Sequence, residues 1–158
     1  MNKIIGLFMV LIAFMGCQMP NSDEFSDKAY KEDLQTQIYY GDFSSITTCA
    51  CVIPWIRSHM VYKSDPEGEN IVNSLSKTIA LGYGDCEEFA LMYLDIMYVK
   101  FSIKGQLQIV DNNSRQVANG GDGNHAIVCI DGVQIEPQTG YRVDYKVAYY
   151  YDFDEIFY

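Results

Sequence analysis

The sequence predicts an α+β domain in which a cysteine-bearing central helix packs on an antiparallel sheet. Three observations carry this. Residues 87–101 are apolar almost all round (Phe89, Ala90, Leu91, Met92, Leu94, Ile96, Met97, Val99), the pattern of a helix buried on every side. After Lys104-Gly105 the apolar period changes to two, as in strands. Asp131-Gly132 then stands between two apolar runs, the strongest short-range signal for a hairpin.

Taken along the chain, residues 18–28 (QMPNSDEFSDK) are polar and read as a tether, and a helical stretch is expected over 29–38. Apolar residues at 52, 53, 56 and 60, with Trp55, predict an amphipathic helix in which Pro54 stands near the first turn or kinks it. SDPEGEN at 64–70 makes a solvated turn, and 71–79 suits a short helix. Gly82 and Gly84 free the backbone just before the buried helix, and Asp85, Glu87 and Glu88 suit the positive end of its dipole. Cys86 is therefore expected where terminal N–H groups stabilise a thiolate. Leu107 and Ile109 mark a strand, 111–123 (DNNSRQVANGGDG) a Gly/Asn-rich loop, and 125–130 and 133–136 the two arms of the hairpin. Residues 141–151 alternate as a further aromatic strand, whereas the acidic-aromatic end DFDEIFY is ambiguous.

The chain has 158 residues, 49% of them apolar, enough for one hydrophobic core. A formal charge of -10 with no Lys/Arg block leaves no surface to grip phosphate backbones, which excludes nucleic acid as a partner. Thirteen Tyr and 8 Phe exclude disorder as the main state.

Lys3 precedes an apolar run from Ile4 to Met15, too short at ~1.5 Å per residue to span ~30 Å of hydrocarbon as a helix. A basic start, a short apolar stretch and a small residue read as a secretory signal over 1–16. Its end, Phe14-Met15-Gly16-Cys17, resembles the lipobox of bacterial lipoproteins, with Phe14 and Met15 where Leu and Ala or Ser are usual. That resemblance implies lipid attachment at Cys17, a tether over 17–28, a domain over 29–158, and a location in the bacterial cell envelope on the periplasmic or outer face of a membrane. An ordinary signal peptide with a chance cysteine is the competing reading. Export permits disulfides among Cys49, Cys51, Cys86 and Cys129, yet Cys49 and Cys51 are too close in sequence to bond each other, and no ligand spacing suggests zinc.

If Asp131-Gly132 is a two-residue turn, Ile130 faces Val133 and pairing continues to Ile127 opposite Glu136. His125 and Glu136 then share a face as diagonal neighbours, ~7–8 Å apart at Cα, within reach of a carboxylate–imidazole hydrogen bond. A thiol at a helix start, a strand histidine and an orienting carboxylate are the parts of nucleophilic acyl transfer. Cys86 attacks, His125 moves the proton, Glu136 holds the ring, and backbone N–H groups near Cys86 receive the oxyanion.

The run GYGDCEEFALMYL, then NHAIVCIDG, then QIEPQTG, resembles the transglutaminase-like superfamily, above all its bacterial cysteine proteinases; WIRSHMVYKSDPEG resembles the family's upstream helix. The resemblance covers residues 52–140. It implies a papain-like or transglutaminase-like core, Cys86 as nucleophile, His125 as base and Glu136 where the family usually has Asp. A peptide or protein substrate follows, cleaved through a thioester, with no cofactor required. In some bacterial relatives acids flanking the nucleophile are linked to calcium, which here points to Asp85 and Glu87. Other readings stay open: an amine-accepting transglutaminase, a non-catalytic binding module, Cys86 as a buried structural thiol, His125 as a satisfied core residue, and Glu136 facing solvent. Cys129 is expected in the core and His59 on an exposed helix face.

The leader generates a direct prediction. Mass spectrometry of the membrane fraction should find a mature chain that begins at lipid-modified Cys17, and an unmodified chain beginning elsewhere removes the anchor.

Overall fold

The computed structural model describes residues 34–66, 69–111 and 125–157, so the leader, Cys17, the tether and nearly all of the Gly/Asn-rich loop lie outside the described residues. The chain folds as α+β. A 3-10 turn at Cys49–Cys51 leads into helix α1 (Val52–His59), in which Val52, Trp55 and Ile56 are buried. Pro54 is the third residue of α1, where the backbone N–H would have no partner within the helix, so no kink is needed. Trp55 packs edge-on against Phe43, ring centroids 4.9 Å apart.

Strand β1 (Val61–Tyr62) pairs in parallel with β2 (Tyr83–Gly84), two short strands with no periodicity to announce them. Between them lies helix α2 (Leu75–Leu81). The helix expected over 71–79 thus starts later, because the Glu88 carboxylate takes the Asn73 backbone N–H at 2.7 Å and holds the approach outside the helix. Helix α3 (Cys86–Phe101) is the predicted central helix, and residues 86–97 are all buried. Burial of a large apolar side chain contributes roughly 1.5–3 kcal/mol, and α3 supplies Phe89, Leu91, Met92, Leu94 and Ile96 to a single core.

Four strands follow: β3 (Gln106–Asp111), β4 (His125–Ile130), β5 (Val133–Ile135) and β6 (Lys146–Asp152). They form an antiparallel sheet in the order β5-β4-β3-β6. Leu107, Ile109, Ala126, Val128 and Ile130 face the core with α3. The alternating residues form a second face, which is also buried; there Gln134 donates to Gln108 at 2.9 Å and to the Tyr145 carbonyl at 3.1 Å. Strict alternation of polarity fails in β3 and β4 for that reason: both faces are covered, so both select against unpaired polar groups.

Asp131 and Gly132 adopt φ of 49° and 76°, the pair of left-handed residues of a tight I′ turn, and the register is Ile130↔Val133 and Val128↔Ile135 as a two-residue turn requires. Two other expectations change. The aromatic strand begins at Lys146, not at residue 141, because Arg142 bridges back to Ile135 and covers the edge of β5. The expected helix over 29–38 does not extend through its described end: Thr36 pairs with Phe157. The ambiguous DFDEIFY turns into α4 (Phe153–Ile156), started by a capping box between Asp152 and Glu155. Among the described residues no helix is long and apolar enough to cross a membrane.

Inside the core, Asp95 of α3 is fully buried and accepts the Tyr39 backbone N–H at 3.0 Å, while its other oxygen has no partner among the described residues. Burial pushes its carboxyl up to about 7 from 3.8, so the folded chain keeps a proton that the unfolded chain has released. Stability attached to this proton is full below the unfolded value and is lost as pH rises to the folded one. Asp95→Asn should therefore gain stability over the wild type progressively between about pH 4 and 7 and hold that gain above, as read by thermal unfolding; a difference independent of pH would contradict it.

Candidate active site

The site is built from the start of α3. Cys86 is the first residue of the helix, and Asp85 is its cap, its side chain accepting the Glu87 N–H at 3.1 Å. Glu88 closes the capping box by accepting the Asp85 backbone N–H at 2.9 Å. Glu88 is almost completely buried, and Asn73 supplies its backbone N–H and its side-chain amide to the same carboxylate. Gly84 is required here for space: a Cβ on it would stand 2.6 Å from Cβ of Glu88. The GDCEE run is thus a cap in which Asp85 and Glu88 accept backbone N–H groups that a buried helix end cannot leave to water.

This inward placement changes the thiol. Cys86 is 5% exposed and donates to Oε2 of Glu87 at 2.9 Å. Burial first, then the charge of Glu87, push the Cys86 thiol far above the ordinary cysteine range; only the Ala126 backbone N–H, directed at the sulfur, pulls the other way. The thiolate expected from helix dipole and imidazole is not the resting state, because desolvation and an adjacent carboxylate outweigh a dipole effect confined to the first turn. Asp85 follows the same logic, pushed up to about 9 by burial and then by Glu87 and Glu88, so it keeps its proton at neutral pH.

On the sheet, His125 opens β4 and its Nε2 lies 2.6 Å from Oε2 of Glu136, with side chains 8% and 12% exposed. The hairpin register puts both on one face, and the extra methylene of Glu, compared with Asp, does not break the contact. Glu136 is held at both ends of its peptide unit: its N–H donates to Tyr141 O at 2.9 Å and its carbonyl accepts Gly140 N–H at 2.7 Å. The Tyr145 ring stands edge-on to the imidazole, centroids 6.4 Å apart. With Nε2 committed to Glu136, Nδ1 is the nitrogen left to serve a thiol.

The structure therefore joins His125 to Glu136 and buries Cys86 in the same core as Ala126, the residue after His125. No hydrogen bond links Cys86 to His125 among the described residues, since the thiol is turned to Glu87. Asn73 and Tyr145 enter the site from segments whose sequence indicates a helix and a strand but no part in a site, 15 residues before Glu88 and 20 after His125. His59 stays outside: its ring stacks on Trp55 at 3.9 Å and its Nδ1 meets the Trp55 carbonyl. Cys129 is buried in β4, and all four described cysteines are free thiols.

Asp85, Cys86 and Glu87 have potential ligand atoms within 4.8 Å of one another. The donor set does not suit calcium, which takes about six to eight oxygens, because the third donor is sulfur and each group is already engaged in the cap or with its neighbour.

Thiol reactivity should follow these surroundings. Thr48 and Thr47 hydrogen-bond Cys51, at 3.3 and 3.9 Å, and bring its thiol down to about 7. Brief iodoacetamide treatment at pH 7, read by peptide mass spectrometry, should modify Cys51 well before Cys86. Glu87→Gln should speed Cys86 alkylation by roughly tenfold for each unit by which its pKa falls; an unchanged rate would show that Glu87 does not restrain the thiol.

Comparison with protein-family models, with curated proteins and with solved structures finds no match to this chain.

Proposed function

We propose that the protein is an exported, lipid-anchored thiol hydrolase with a transglutaminase-like core, cleaving a peptide or amide bond in an envelope protein or wall peptide. The observation that carries the reading is the His125–Glu136 contact of 2.6 Å, on a strand whose next residue, Ala126, shares the buried core with Cys86. A histidine on the strand that packs against the cysteine-bearing helix, paired with a carboxylate, matches the division of labour of acyl transfer. The order of the GDCEEFA, NHA and QIEP segments supports the same assignment.

In this mechanism the thiol rotates from Glu87 to Nδ1 of His125. The ring takes the proton as sulfur attacks the carbonyl carbon, forming the C–S bond. The oxyanion is received by the backbone N–H of Cys86, one of the orphan donors of the first turn. His125, now imidazolium and paired with Glu136, gives its proton to the leaving nitrogen as the C–N bond breaks. Water, deprotonated by the same ring, then splits the thioester and restores the thiol. Because the resting thiol is protonated, proton transfer belongs to the attack itself and not to a prior ion pair. An amine in place of water makes the same machinery a transglutaminase.

A second reading has its own observation. The Cys86–Glu87 hydrogen bond satisfies the thiol without His125, as a non-catalytic binding module would.

Peptide-library cleavage separates the two. Cys86→Ala should abolish turnover and His125→Ala should nearly do so, since each removes a chemical step. Glu136→Gln keeps a hydrogen-bond acceptor but loses the charge, and should cost on the order of 10² to 10⁴ in rate. His59→Ala should change little. Cleavage undiminished in Cys86→Ala would end the catalytic reading.

A further inference from the structure

Beyond the Cys86 region the molecule has a cleft of about 790 Å³ whose charge runs against that of the whole chain. It lies between α1, which contributes Ile53 and Arg57, the middle of α3 at Tyr93, the edge strand at Ile135, and the returning segment at Arg142. The chain has 21 acids against 11 Lys and Arg, and only three of those eleven are arginines. Two of the three line this one cleft, and among the described residues no aspartate or glutamate does. Among the described residues neither Arg57 nor Arg142 has an ion-pair or hydrogen-bond partner, whereas Lys104 is paired with Asp154 and Lys146 with Asp111. A guanidinium presents a planar fork of donors matched to an oxyanion. Here two forks on different elements flank walls of Ile53 and Ile135, with the buried Tyr93 beside them.

We propose that this cleft binds a carboxylate carried on an apolar body, the carboxylate held by Arg57 and Arg142 and the body lying on the isoleucine walls. Apolar walls with a few convergent polar groups are what a site for a small ligand needs. An acidic protein gains from such a site because the rest of its surface repels anions and leaves the cleft as the local attractor. The C-terminus of a peptide and a free organic acid share this chemistry. The cleft borders the loop that carries Glu136 but includes neither Cys86 nor His125, so the inference stands without the hydrolase reading.

Calorimetric titration of the intact chain can test it with four probes: acetyl-leucyl-leucine, its C-terminal amide, hexanoate and inorganic phosphate. The free carboxylates should bind and the amide should not. Binding by acetyl-leucyl-leucine alone identifies a peptide end, and binding by hexanoate as well identifies the carboxylate with its apolar chain as sufficient. Arg57→Gln and Arg142→Gln, both at exposed positions, should each weaken binding roughly tenfold or more. Cys49 also lines the cleft, so in a Cys51→Ser background its alkylation should slow when the bound acid is present. The proposal is overturned if neither carboxylate binds, if amide and acid bind alike, if phosphate binds as tightly as the acids, or if both arginine variants keep wild-type affinity.

Discussion

A sixteen-residue helix sunk into the core over its first three turns cannot leave its terminal N–H groups to water, and much of this structure follows from that constraint. Asp85 and Glu88 close the end of α3 from inside, and Glu88 reaches back to fasten Asn73, which delays α2 and shapes the passage between β1 and β2. Gly84 is compelled by the same packing, since any side chain there would strike Glu88. The cap thus organises the segment before the helix as well as the helix itself.

The price of that arrangement is electrostatic. Three carboxyl groups share a partly desolvated volume with a thiol, and the outcome is a protonated Asp85 and a thiol that keeps its proton. A helix N-terminus alone favours anions, but its preference is modest and falls off within a turn. Burial and like charge act on the same atoms with larger effect. On the opposite strand, the His125–Glu136 pair is built by register: two left-handed residues at Asp131 and Gly132 set the pairing, and pairing sets the face. The Cys86 region and the His125–Glu136 pair therefore depend on unrelated devices, a helix cap and a hairpin turn.

Charge is unevenly distributed around this frame. Acids gather at the α3 cap, while among the described residues the cleft beside β5 is lined by two arginines without an ion-pair partner and by no acid. The one surrounds a donor-rich helix end; the other holds guanidinium donors with no acceptor among the described residues.

The sequence by itself determined the α+β class, the extent of α3, the position of α1, and the hairpin register that brings Glu136 to His125, because each rests on local physics: apolar period, caps, and a turn that requires positive φ. It did not disclose β1 and β2, two residues each and too short for any period, nor the start of α2, decided by Glu88 from another segment. The polar second face of the sheet escaped period-two reasoning because Gln108 and Gln134 satisfy each other across strands far apart in the chain. Only the tertiary structure decided the state of the thiol. The spacing of Asp85, Cys86 and Glu87 is local, but the desolvation that turns those acids from caps into restraints comes from everything packed around them, and burial is a property of the whole fold.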